Sequence, residues 1–251
     1  MINTMDLTNK KILVVGASSE TGEAIVNQLL GLSAFVVMLD HVEEKLVNIA
    51  NKYNLNKLAF NCFNIYNNQE IEKGIKHLNT LYGPFDGLVF CGGKGGVRPL
   101  QLTKNSFIHD MMNDNLYSFV EIARCITKKG CFNNGGSIVA ISSVSSIKGL
   151  KSKIAYSASK AALDASVRGM ASELSDKKIR VNSILKGWVT SDMKLDFIQD
   201  NMELSKNEDF AKQILGVIEP NEIANTVCFL LSDLTKTITG TAILHDGGYS
   251  L

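Results

Sequence analysis

The sequence predicts a doubly wound α/β fold, with seven strands in one mainly parallel sheet flanked by helices. Three observations carry that prediction. Short apolar runs alternate with amphipathic stretches from end to end. The runs are apolar throughout, as strands buried on both faces are. The first run closes on a glycine-containing turn that opens a helix, in the stretch VVGASSETG.

The elements follow in order. KILVV (11–15) is the first strand, and ETGEAIVNQLLG (20–31) has helical period. AFVVML (34–39) is a second strand, with a helix over 41–53 behind it. KLAFNCF (57–63) and DGLVFC (86–91) bracket a helix over 68–83. One long helix is expected near 104–129, then the strand GSIVAIS (136–142) and a helix near 154–176. IRVNSIL (179–185), a helix over 220–233 and the strand TAILH (241–245) complete the pattern. No Pro- or Gly-rich linker and no solenoid repeat interrupts it, so residues 1–251 read as one domain. The polar segment 186–219 breaks the rhythm, and a connection of that length reads as a substrate-binding lid.

Composition narrows the function. The chain is 45% hydrophobic and 20% charged, an ordinary globular balance. With 26 basic and 25 acidic residues, no overall field draws it to nucleic acid or to an anionic membrane. The five cysteines are odd in number and form no C-x-x-C pair. Reduced thiols and a cytoplasmic location follow, rather than disulfides or zinc. The four histidines have no ligand spacing, so no metal is expected. The N-terminus shows no apolar leader, and no apolar run reaches the ~18 residues that span a bilayer.

The first turn is a candidate nucleotide site. Gly16 and Gly22 let the backbone approach a pyrophosphate at a helix N-terminus. Asp40 ends the second strand 18 residues past Gly22, where a carboxylate accepts from adenosine ribose hydroxyls. The competing reading makes these turn glycines and a helix cap. As a ribose acceptor, Asp40 would repel a 2′-phosphate. No Lys or Arg follows at 41 or 42, and Ser19 brings no positive charge to the turn, so NAD(H) is favoured over NADP(H).

A second constellation lies in YSASK, where Tyr156 and Lys160 stand at i and i+4. That spacing alone is weak: Tyr53 and Lys57 share it within an asparagine-rich loop. Ser143 adds weight, 13 residues before Tyr156 at the carboxyl end of a buried strand, where open α/β sheets bind ligands. A phenol ionises near pH ~10 and is a poor base at neutrality. A neighbouring ammonium favours the phenolate, and a shift of about 3 units is worth roughly 4 kcal/mol. Tyr156 can then exchange a proton with a substrate oxygen while the Ser143 hydroxyl donates to it.

Together these residues resemble the short-chain dehydrogenase/reductase family, a Rossmann-type fold, over nearly the whole chain. The matching stretches are GASSETG, Ser143 with YSASK, Asn115 in DNLYS, IRVN (179–182) and GTAILHDGG (240–248). The resemblance implies an oxidoreductase that interconverts a secondary alcohol and a ketone, with Asn115, Ser143, Tyr156 and Lys160 as catalytic tetrad. It implies cofactor contacts from Gly16, Ser18, Ser19, Thr21, Gly22, Asp40, Asn64, Ile65, Cys91, Gly92, Gly93, Tyr156, Lys160, Gly187, Val189 and Ser191. A homotetramer or homodimer, built through the helices near 104–129 and 154–176, is implied as well. Several positions mark a divergent member. Glu20 replaces the middle glycine of the turn, FCGG (90–93) replaces N-N-A-G, Asn64 replaces an acidic residue, and Lys186 replaces a proline.

Two other functions stay open: a nucleotide-binding sensor or scaffold without turnover, favoured by Glu20 and Asn64, and a sugar-modifying dehydratase or epimerase. The substrate is a small alcohol or ketone of unspecified class. Met193, Leu195, Phe197, Ile198 and Phe210 are expected in the pocket wall, with Trp188 near the nicotinamide. Lys94, Arg98 and Lys186 would either meet an anionic substrate or be solvated.

Overall fold

The computed structural model describes residues 5–53, 55–191 and 211–251. Seven strands form one sheet: β1 (Lys11–Val15), β2 (Phe35–Asp40), β3 (Leu58–Cys62), β4 (Phe85–Phe90), β5 (Phe132–Ser143), β6 (Arg180–Lys186) and β7 (Ala242–His245). Their order is β3-β2-β1-β4-β5-β6-β7, and every neighbouring pair is parallel. The strand order switches direction between β1 and β4, which opens a crevice at the carboxyl ends of the sheet.

The helices are α1 (Glu20–Gly31), α2 (Glu43–Ala50), α3 (Asn68–Tyr82), α4 (Asn105–Met112), α5 (Ser118–Ile126), α6 (Ile154–Glu173) and α7 (Pro220–Leu231). Their starts follow local chemistry. Ser19 Oγ accepts from Gly22 N at 3.0 Å to cap α1, and Asn67 Oδ1 accepts from Gln69 N at 3.0 Å to cap α3. Pro220 opens α7, where a missing N–H costs nothing, and Glu222 reaches back to Glu219 N at 2.7 Å.

Strand alternation divides the core in two. Ile12, Val14, Val36, Met38, Val139 and Ile141 pack with Ile25 and Leu29 of α1 and Ile223 and Val227 of α7. Leu13, Val15, Leu88, Phe90, Ile138 and Ala140 pack on the other face with Ile71 and Ile75 of α3, Phe119 of α5 and Leu163 of α6. The central strands β1, β2 and β4 are buried on both faces, so they read as nearly unbroken apolar runs, whereas the edge strand β7 is partly exposed.

Some boundaries differ from the sequence expectation. β5 begins at Phe132, ahead of the predicted 136, because Phe132 pairs with Phe85 across an irregularity in register. The single helix expected near 104–129 is interrupted. α4 and α5 are separated by a π-turn over Asn113–Tyr117, and that turn carries Asn115. The pocket-wall residues Met193, Leu195, Phe197, Ile198 and Phe210 lie outside the described residues. The two ends of segment 186–219 are tied together. Gln213, 3% exposed, accepts from Trp188 N at 2.9 Å and donates to Trp188 O at 3.0 Å, while Val189 and Ile218 form a parallel bridge.

The IRVN stretch has a structural role. Buried Arg180 donates to Leu230 O at 2.6 Å, Thr235 Oγ1 at 2.7 Å and Ser232 O at 3.2 Å, so it satisfies carbonyls at the end of α7. Asn182 likewise donates to Ile238 O at 2.9 Å and accepts from Thr241 N at 3.2 Å. Arg180→Ala removes the charge-assisted bonds to both carbonyls and leaves them only the neutral Ser137 and Thr235 donors. It should lower stability by roughly 2–4 kcal/mol in urea unfolding followed by circular dichroism.

Candidate active site

The first turn is built on close backbone approach. Gly16 has φ +76°, and a Cβ there would meet Gly92 N at 2.7 Å and Cys91 C at 2.8 Å. A Cβ on Gly22 would run into Gly16 O. The absence of side chains at these points keeps the turn low against the end of β4, as a pyrophosphate cradle requires. Thr21 and Gly22 are buried, Ser18 is half-buried, and Ser19 and Glu20 are exposed.

Asp40, 3% exposed, reaches back to this turn, where its Oδ2 accepts from Ser18 N at 2.9 Å. Its Oδ1 accepts from His41 N at 2.7 Å and lies 2.8 Å from His41 Nδ1. His41 is thus a neighbour that the sequence reading passed over. Asn64 is exposed, and its Oδ1 accepts from Tyr66 N at 3.0 Å within its own turn. Ile65 is buried and borders Gly92, with Cδ1 3.4 Å from the position of a Cβ there.

Across the crevice, Lys160 is 5% exposed, and its ammonium donates to Ile141 O at 2.9 Å. It lies 5.9 Å from the centre of the Tyr156 ring. Asn115 is fully buried, and its amide is committed on every side. Its Oδ1 accepts from Lys94 N at 3.1 Å, and its Nδ2 donates to Lys94 O at 3.1 Å and Ser159 Oγ at 3.0 Å. Gly93, at φ +123°, sits between them: a Cβ would collide with Asn115 Oδ1 and lie 3.5 Å from Lys160 Nζ. The loop after β4, the π-turn and α6 are locked together at this point. Ser143 ends β5 two residues beyond Ile141, and its Oγ accepts from Ser145 N at 3.2 Å. Ser143 is in register with Lys186, which places Gly187, Val189 and Ser191 on the segment that leaves the same sheet edge.

Burial, helped by the Lys186 ammonium, lowers the Lys160 pKa to about 8, while the Asp164 carboxylate acts to raise it. Asp164 stands one turn further along α6, 5% exposed, with neither carboxylate oxygen hydrogen-bonded. The only sequence signal for it was its spacing of four from Lys160. Burial also pushes the Cys91 thiol up to about 12, so that thiol stays protonated.

Residues 16–250 match a family profile described as Enoyl-(Acyl carrier protein) reductase. An L-xylulose reductase of Caenorhabditis elegans is 33% identical over 98% of this chain and 97% of its own length. A 3-oxoacyl-acyl-carrier-protein reductase of Rickettsia bellii is 30% identical over 97% of this chain and 98% of its own. Among solved structures, a putative short-chain alcohol dehydrogenase of Sinorhizobium meliloti superposes with TM-score 0.88 at 26% identity, covering 98% of both chains.

The field at Lys160 is open to direct measurement. In the cofactor-free protein, nitrogen-detected NMR should show the Lys160 ammonium titrating near pH 8. Asp164→Asn removes a negative charge that favours the ammonium, so it should move this titration to lower pH. A shift upward would contradict the placement of Asp164.

Proposed function

The chain belongs to the short-chain dehydrogenase/reductase family, enzymes of nicotinamide-dependent alcohol and ketone chemistry, and from that premise we propose that it interconverts a secondary alcohol and a ketone with Tyr156 as general acid/base. The observation that carries this reading is the buried Lys160 ammonium, held by Ile141 O beside the Tyr156 ring. For scale, an ammonium ~6 Å from a phenolate oxygen at an effective dielectric of ~20 favours ionisation by roughly 3 kcal/mol, or about 2 pKa units. That brings Tyr156 toward the range in which it can give and take a proton at neutrality.

The side-chain-free cradle at Gly16 and Gly22 fits a dinucleotide pyrophosphate, with Ser18, Ser19 and Thr21 around it. Asp40 would hold the adenosine ribose, with Asn64 and Ile65 toward the adenine. Cys91, Gly92, Gly93 and Lys160 would line the path to the nicotinamide ribose, and Gly187, Val189 and Ser191 would border the nicotinamide. The bound cofactor supplies the hydride chemistry. The protein's part is to place the substrate oxygen between the Ser143 hydroxyl and the Tyr156 phenol. Asn115 keeps the loop and α6 in that arrangement. NAD(H) is the preferred cofactor on this reading, because the Asp40 carboxylate would face the ribose hydroxyls.

Segment 186–219 of this one domain would cover the substrate. The helices α4, α5 and α6 would build the homodimer or homotetramer in the cytoplasm, where the five free cysteines stay reduced.

A panel of alcohols and ketones, followed by cofactor absorbance, tests the assignment and locates the substrate. Tyr156→Phe should lower turnover by about 100-fold or more and leave NADH affinity within about twofold. Retained turnover would remove Tyr156 from the mechanism. Fluorescence titration should show NADH binding more tightly than NADPH, and Asp40→Ala should narrow that preference while turnover persists. Tighter NADPH binding by the unsubstituted protein would overturn the role given to Asp40.

A further inference from the structure

Residues 187–190 leave the end of β6, and their place is set by contacts with two distant stretches of chain. Gly187 N donates to His245 O at 3.0 Å, Ile218 N donates to Trp188 O at 3.0 Å, and Thr190 N donates to Ile218 O at 2.9 Å. To these main-chain bonds one buried side chain is added. Gln213 is 3% exposed, and its amide exchanges a pair of hydrogen bonds with Trp188, accepting from N at 2.9 Å and donating to O at 3.0 Å. Its other N–H donates to Gly216 O at 2.7 Å. A reciprocal pair of this kind joins residues opposite one another in an antiparallel ladder, so the amide stands in for a strand partner. The backbone leaves room for it. A Cβ on Gly187 would lie 2.5 Å from Gln213 Oε1, and one on Gly247, at φ +56°, would lie 2.6 Å from Gln213 Cγ.

We propose that Gln213 is a positioning residue of the cofactor site, one that fixes the Gly187–Val189 backbone where the nicotinamide end of the dinucleotide would bind. This rests on the reading of Gly187, Val189 and Ser191 as the nicotinamide border and names the group that sets that border. The Trp188 N–H belongs to the peptide plane before the residue and the Trp188 carbonyl to the plane after it, so holding both fixes two successive planes. Val189 follows at once, fully buried and bridged to Ile218. A buried amide with its oxygen and both N–H groups bonded cannot turn without leaving a polar group unpaired. The border is therefore set before a cofactor arrives, and binding does not have to order it.

Gln213→Glu in the full-length protein keeps the shape of the side chain and makes the donor titratable. Ionised, the carboxylate can still accept from Trp188 N but faces the oxygens of Trp188 and Gly216; protonated, it regains one donor. Burial raises the pH at which such a carboxyl ionises, into the range of ~5 to 8. Affinity is read by fluorescence titration with NADH or NADPH, whichever binds the unsubstituted protein more tightly. Gln213→Glu should bind within about threefold of the unsubstituted protein at the acid end and about tenfold or more weakly at the alkaline end. Emission from Trp188, the only tryptophan in the sequence, should change over the same pH interval. The neighbouring titratable groups are His245 and Asp246 at the end of β7, Lys186 and Lys212 beside the tied residues in sequence, and Lys153 at the Trp188 ring. All are present in both proteins, so the difference between the two pH profiles isolates residue 213. Gln213→Met should lose about tenfold with no pH step. Thr190→Val removes an exposed tie between the same two stretches, from Thr190 Oγ1 to Glu219 Oε2 at 3.0 Å, and should stay within about twofold.

A pH step in Trp188 emission with none in cofactor affinity would make the tie structural only and overturn the proposal. Unchanged affinity in both Gln213 variants, or a loss in Thr190→Val equal to that in Gln213→Met, would overturn it too. Hydrogen exchange in the unsubstituted protein adds a measurement that needs no variant to fold. The Trp188 amide should exchange slowly before any cofactor is added, and rapid exchange that only the cofactor suppresses would overturn the proposal. Failure of the cofactor reading has a separate signature: the unsubstituted protein would bind neither NADH nor NADPH, and the proposal would fall with that reading.

Discussion

A buried ammonium must be hydrogen-bonded, and meeting that need at Lys160 organises the rest of the site. The Ile141 carbonyl answers it near the carboxyl end of β5. One contact therefore fixes α6 against the sheet edge, the Tyr156 ring beside the ammonium, and Ser143 two residues along the same strand. Burial disfavours the Lys160 charge, and Asp164 on the next turn partly restores it. The site thus balances desolvation, which strengthens the field felt by Tyr156, against the risk that Lys160 loses its proton.

The second constraint is backbone proximity at the switch point. Gly16 touches the main chain of Cys91 and Gly92, and Gly93 fits only because it lacks a Cβ against Asn115. The FCGG stretch keeps small residues where the family has N-N-A-G, so this close approach survives the loss of both asparagines. Asn115 then supplies a cross-link, through Lys94 and Ser159, that joins the β4 loop to α6. The π-turn that carries Asn115 breaks an otherwise regular helix to put the amide there.

Electrostatics separates the two ends of the crevice. The first turn ends near the Asp40 carboxylate, with His41 against it, while the other end holds the buried Lys160 ammonium with Lys186 close enough to lower its pKa. Glu20, which looked from the sequence like a charge placed near a pyrophosphate, is exposed on the first turn of α1.

The doubly wound sheet was legible in the sequence, because strands buried on both faces must be apolar throughout and the helices between them must be amphipathic. The fold class, the seven strands and the serine, tyrosine and lysine spacing could all be read along the chain. The break at Asn113–Tyr117 could not, because an amphipathic pattern continues through a π-turn and only the side chain of Asn115, reaching across to α6, reveals it. Nor could the partners of Asp40, the orphaned carboxylate of Asp164, or the seat of Lys153 between Tyr156 and Trp188. Periodicity encodes which face of an element is buried, whereas contacts such as Asp40 with Ser18 and Lys153 with Trp188 join separate elements, and tertiary packing alone decides which charges are buried together.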